Sequence, residues 1–124
     1  MILLSMLFCH IVDDYYLQGW LASAKQKKYW QELPNYTDMY KYDYIMALLM
    51  HSMSWAFMIM LPIAVVNRFD VGVGFFIMYV LNVLIHAFID NAKANWFVIN
   101  LVQDQIAHIG QISFTWILLM KVLV

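Results

Sequence analysis

The sequence predicts an all-α fold, a polytopic membrane protein whose four transmembrane helices form an up-down-up-down bundle as one domain over residues 1–124. Three observations predict it. Hydrophobic residues make up 65% of the chain and charged residues 12%, against roughly 25% charged in soluble domains, so no polar shell could cover the apolar surface. The apolar residues gather into four runs, each long enough to cross a hydrocarbon core of about 30 Å, and the second and third connections between them are short. Each run carries one histidine, His10, His51, His86 or His108, and three of the four add an aspartate one helical turn away.

The first helix is expected at about 1–23. It begins apolar at once, with no basic n-region and no small-residue cleavage pattern after the run, which reads as a retained helix rather than a signal peptide. His10, Asp13, Asp14 and Gln18 interrupt it, and Tyr15, Tyr16 and Trp20 mark arrival at an interface. Residues 24–42 interleave Lys25, Lys27, Lys28 and Lys41 with Tyr29, Trp30, Tyr36, Tyr40 and Tyr42, the pattern of a loop lying at headgroup depth. The second helix is expected at 43–66, with Pro62 kinking it near its far end. Membrane helices tolerate proline there because neighbours satisfy the freed carbonyl. The third helix is expected at 71–94, opened by Gly72 and Gly74, and the fourth at 96–123 after a very tight turn at Ala94-Asn95.

Lysine and arginine counts orient the bundle. The long loop and the third connection hold Lys25, Lys27, Lys28, Lys41 and Lys93, whereas the other side holds only Arg68 and Lys121. Positive-inside bias places residues 24–42 in the cytoplasm and both termini outside. The near-neutral net charge of -1 and the absence of a basic run exclude nucleic acid as a partner. The single cysteine, Cys9, excludes an intrachain disulfide and a CxxC zinc motif.

In His86-Ala-Phe-Ile-Asp90-Asn-Ala-Lys93 the polar residues share one helix face, with Asn82 and Lys93 within about 40° of His86. The pattern recurs in His10-Ile-Val-Asp13-Asp14 and, reversed, in Asp104-Gln105-Ile-Ala-His108. At about 1.5 Å rise per residue from the cytoplasmic ends, Asp14, His51, His86 and Asp104 lie at about 12 to 14 Å depth, His10 and His108 at about 18 to 20 Å, and Asp90 at about 6 Å. All seven therefore fall in one half of the membrane, although adjacent helices run in opposite directions. Ionisable groups at such depth usually mark function, the alternative being pairs that merely satisfy each other and rigidify the bundle.

Four imidazoles with several carboxylates suit a divalent transition metal, zinc first and manganese or iron next, and the set suffices for one or two ions. Haem has no use for so many aspartates. The expected ligands are His10, Asp14, His51, His86, Asp90, Asp104 and His108, with Gln18 and Gln105 orienting them. Asp13 is the expected proton acceptor for a metal-activated water, and Lys93 the expected partner of an anionic substrate. No GxSxG, HExxH or glycine-rich phosphate loop is present.

The block His10-Ile-Val-Asp-Asp14-Tyr-Tyr-Leu-Gln18, with Lys25, His51, His86-x-x-x-Asp90 and Asp104-Gln105-x-x-His108, resembles the family described as domain of unknown function 3307, small integral membrane proteins of bacteria and phages. The resemblance implies a four-span fold in an inner membrane and the same His, Asp and Gln positions, with no activity attached. The helical His and Asp pairs are more weakly similar to those of membrane-bound metal-dependent hydrolases. The leading expectation is a membrane metalloprotein hydrolysing a lipid-linked phosphoester or amide at the cytoplasmic leaflet. Its partners would be the bilayer, a lipid-linked substrate, and further copies or a larger membrane assembly. The alternatives are a proton or metal-ion pathway, and a structural or holin-like subunit whose polar pairs specify packing.

Overall fold

The computed structural model describes residues 1–122, so the expected helix end at 123 and the terminal Val124 lie outside the described residues. Every regular element among them is helical. In chain order these are α1 (Ile2–Val12), a π-helical turn (Asp13–Leu17), α2 (Leu21–Ala24), α3 (Lys27–Gln31), a 3₁₀ turn (Asp38–Tyr40), α4 (Asp43–Val66), α5 (Val73–Ala94) and α6 (Leu101–Val122). The four long segments close a ring in which α1 packs on α4, α4 on α5, α5 on α6, and α6 back on α1.

Three boundaries differ from the sequence reading, each for a local reason. The first helix does not run to residue 23. The Gln18 N–H bonds the Asp13 carbonyl at 3.1 Å, five residues back, and makes a π turn. In an α-helix adjacent side chains diverge by about 100°, and the wider turn lets Asp13 and Asp14 both face inward, where both are buried. Gly19 then takes a left-handed backbone with φ +50, which a residue without Cβ adopts freely, and the chain turns into α2. The loop at 24–42 is partly helical, with the rings of Trp20, Tyr29, Trp30 and Tyr40 packed against one another.

The third boundary is the start of α6, at Leu101 rather than 96. Asn100 and Gln103 explain it. The Asn100 side-chain oxygen accepts from the Gln103 backbone N–H at 2.9 Å, and Gln103 Oε1 accepts from the Asn100 N–H at 3.0 Å. Such a reciprocal cap satisfies two donors that the first turn leaves unpaired. α4 runs unbroken through Pro62. It ends where the Asn67 amide donates to the Ile63 carbonyl and the Phe69 N–H reaches the Ala64 carbonyl, Arg68 and Phe69 both having positive φ.

The bundle interior is divided lengthwise. One end is an apolar cluster built on Met6, Trp55, Ile59, Ile63, Ile112 and Leu119. The other end, made by the C-terminal end of α1 with the π turn, the first half of α4, the second half of α5 and the first half of α6, buries the histidines and Asp13, Asp14, Asp90 and Asp104. Outward positions are mostly apolar on every long helix, with Phe8, Phe57, Phe88 and Phe114 all exposed. Two stretches, Asp38–Val66 and Val73–Ala94, are long and apolar enough to cross a membrane. α1 ends at Val12, and the first half of α6 carries Gln103, Asp104, Gln105, His108 and Gln111, so polar site residues occupy positions that a simple span would fill with apolar ones.

Candidate metal centre

Helical periodicity supplies the first pairs: His10 with Asp14, His86 with Asp90, and Asp104 with His108 are each one turn apart and lie on the bundle side of their helices. Packing then brings the pairs together. His51 Nε2 lies 3.1 Å from His86 Nε2, 3.4 Å from Asp14 Oδ1 and 3.3 Å from Asp90 Oδ2, and His86 Nε2 is 3.7 Å from that same Asp90 oxygen. The other Asp90 oxygen is 3.2 Å from His108 Nε2, which is also 3.3 Å from Asp104 Oδ1. Asp90 thus joins two halves of one centre. All seven predicted ligands are buried, and six of them bring donor atoms together here, while both ring nitrogens of His10 are bonded elsewhere.

The donor atoms fit a metal. An ion with tetrahedral bonds of about 2.0 to 2.2 Å holds its ligand atoms about 3.3 to 3.6 Å apart. His51 Nε2 lies 3.1 to 3.4 Å from the donor atoms of His86, Asp14 and Asp90, and His86 Nε2 lies 3.7 Å from Asp90 Oδ2. Two overlapping groups, Asp14 with His51 and His86, and His86 with Asp90 and His108, offer ligand atoms within 4.8 Å of one another. Asp14 Oδ1 and Asp104 Oδ1 are buried without a hydrogen-bond donor. Buried carboxylate oxygens normally have one, so both call for a cation or a proton.

His10 is held differently. The Trp55 indole N–H, which can only donate, bonds His10 Nδ1 at 2.8 Å, so Nδ1 is the accepting nitrogen and Nε2 carries the proton. That Nε2 donates to Gln105 Oε1 at 3.0 Å, while the Gln105 amide donates to Asp104 Oδ2 at 3.0 Å. Both nitrogens of His10 are therefore engaged, and Gln105 orients His10 and Asp104 as the sequence suggested. Gln18 does not reach the centre; its amide donates to the Asp14 backbone carbonyl one turn back.

Asp13 also stands back from the donor atoms. It accepts from Ser54 Oγ at 2.6 Å, and its other oxygen is 3.9 Å from His51 Nδ1, on the far side of that ring from the donor cluster. At 3.9 Å that approach is too long for a hydrogen bond, and neither Asp13 Oδ2 nor His51 Nδ1 has a hydrogen-bond partner. Lys93 bonds Asp104 Oδ2 at 2.7 Å and keeps 31% side-chain exposure, which puts it at the mouth of the centre.

Sequence reasoning missed Trp55 and gave Lys25, though named within the family resemblance, no role in the site. Trp55 stacks on His86 at a ring separation of 4.0 Å besides fixing His10, and its place one turn after His51 was the available signal. Lys25 is buried, with Nζ 2.6 Å from Asp90 Oδ2. Nothing in its local sequence distinguishes it from the exposed Lys27 and Lys28, because the selection is tertiary. Asn95 at the end of α5 bonds the Lys25 carbonyl and the Lys27 N–H, and the Trp30 indole bonds the Ala24 carbonyl. Comparison with family models, with curated proteins and with solved structures returned no match.

Proposed function

We propose that this chain is a membrane-embedded metalloprotein that holds a divalent transition metal, zinc by preference, and uses it to hydrolyse a lipid-linked phosphoester or amide. The observation that carries the metal-binding half is the approach of His86 Nε2, Asp14 Oδ1 and Asp90 Oδ2 to His51 Nε2 at 3.1 to 3.4 Å, close to the edge length of a tetrahedral site, with Asp14 Oδ1 buried and without a hydrogen-bond donor. Mixed imidazole and carboxylate donors favour zinc, with manganese or iron next. The apolar exterior of all four long helices supports a bilayer around the bundle, with residues 24–42 on the cytoplasmic side.

A bound divalent ion would supply acidified water and polarise the scissile group. The chain's own residues divide the remaining tasks. Ser54 holds Asp13 on the far side of the His51 ring, and Trp55 and Gln105 fix His10. Asp104 Oδ1, free of donors beside His108, is placed to accept a proton in the role first expected of Asp13. Lys93 at the mouth is placed to meet an anionic group. A groove of about 410 Å³ along the seam of α1 and α6 is lined by Leu7, His10, Ile11, Tyr15, Gln105 and Ile109, and it supports entry of a lipid-linked substrate from the side. The packed apolar cluster beyond the centre favours this reading over a through-going ion pathway.

The test is hydrolysis by the detergent-solubilised, zinc-loaded chain of a chromogenic phosphodiester and of a chromogenic amide, each carrying one long alkyl chain. Turnover of one of them is expected, lost on chelation and reduced at least about 100-fold in His86→Ala. Turnover that survives chelation, or none with either substrate despite a loaded site, would overturn the hydrolytic half.

A further inference from the structure

The centre contains more buried charge than metal ligation needs. Asp13, Asp14, Asp90 and Asp104 are all buried within one bundle end, and the cations that contact them are Lys25 on Asp90 and Lys93 on Asp104. With neutral imidazoles, four carboxylates against two ammonium groups leave a formal deficit of two positive charges. One divalent ion closes it. A second ion would make the enclosed charge strongly positive, which a low-dielectric interior opposes.

The lysines are also distributed unevenly over the two donor groups. The Asp14, His51 and His86 group has no lysine on its own carboxylate. Lys25 holds Asp90 at 2.6 Å through Oδ2, the oxygen that faces His51 and His86, and Lys93 holds Asp104 at 2.7 Å through Oδ2, while His108 meets the Oδ1 atom of each carboxylate. Lys25 is not there by accident of a floppy side chain. Its carbonyl, the carbonyl before it and the N–H of Lys27 are each pinned by Asn95 or Trp30, so the α2 to α3 corner is built to deliver this ammonium into the centre. An ammonium preorganised in this way costs little further entropy on pairing and is hard to displace.

We infer that Lys25, with Lys93, takes the place of a second metal, so that a donor set large enough for a dinuclear site holds one ion. The inference rests on the metal reading above. The two lysines supply fixed positive charge beside Asp90 and Asp104, and the ion takes Asp14, His51 and His86, the group whose own carboxylate has no lysine. Replacing ammonium by a neutral side chain of similar length removes that fixed charge, so that a second ion at His86, Asp90 and His108 no longer over-compensates the carboxylates. Two such replacements make two divalent ions neutralise four carboxylates.

Zinc stoichiometry, measured by equilibrium dialysis and elemental analysis on the full chain in detergent, tests this. Wild type is expected to saturate at one zinc per chain. Lys25→Met should tighten a second zinc at least tenfold, Lys25→Met/Lys93→Met should saturate at two, and Lys25→Arg should stay at one. Two tight ions in wild type, or one ion in the well-folded double variant, would overturn the inference while leaving the metal reading intact; no zinc in wild type would remove the metal reading itself. Should Lys25→Met not fold, Lys93→Met with its more exposed side chain and the wild-type stoichiometry still decide.

Discussion

Asp90→Ala is expected to remove metal binding and to destabilise the chain by about 3 to 5 kcal/mol, because it leaves the Lys25 ammonium buried without a partner. Asp90 is the most connected residue of the centre: one oxygen faces His51, His86 and Lys25, and the other faces His108. The two effects separate in a second variant. Adding Lys25→Met to Asp90→Ala removes the orphaned charge, so most of the stability should return while metal affinity does not. Thermal melts in detergent, with and without zinc, read both. Equal stability of Asp90→Ala and wild type in the absence of metal would show that the pair with Lys25 contributes nothing.

Saturating zinc is expected to raise stability by about 4 kcal/mol at a free concentration 1,000 times the dissociation constant, and chelator should abolish the gain. The gain should shrink with acid. Protons compete with the metal for imidazole, so it is full above the ordinary histidine range and fades as pH falls through about 6.5. A bundle held only by ion pairs between protonated histidines and aspartates has the opposite sign, gaining stability toward mild acid and losing it as pH rises. Melting curves at several pH values, with and without chelator, on wild type and His86→Ala, separate the two. Indifference to chelator combined with greater stability in mild acid would favour a packing role for the cluster.

The layer of polar residues was legible in the sequence because each apolar run carries one histidine, and because a rise of about 1.5 Å per residue is enough to compare depths across antiparallel helices. His51 shows the strength of that ruler: it has no aspartate one turn away, yet its depth alone assigned it to the centre, where its Nε2 meets three donors. Asp90 shows its limit. Predicted nearer the surface than the rest, it is the residue that joins the two halves, since long side chains and helix tilt absorb several ångströms.

What was not legible depends on backbone detail or on partners far along the chain. The π turn that brings Asp13 and Asp14 inward together has no periodic signature, and it leaves Asp13 bonded to Ser54 behind the His51 ring rather than among the donors. Lys25 is selected from a run of lysines by Asn95, some seventy residues on. The late start of α6 had a signal, the Asn100 and Gln103 reciprocal cap, which the apolar character of Trp96-Phe97-Val98-Ile99 outweighed.

Metal-edge X-ray absorption on the zinc-loaded chain tests the metal centre most directly, because it reads the ligands and not merely the presence of an ion. After dialysis against metal-free buffer, the protein should retain zinc in a shell of four nitrogen and oxygen donors at about 2.0 to 2.2 Å, with the multiple-scattering signature of two imidazoles. His51→Ala should lose one of them. Zinc lost on dialysis, or a sulfur donor from Cys9 or a methionine in its shell, would contradict a centre built from Asp14, His51, His86 and Asp90.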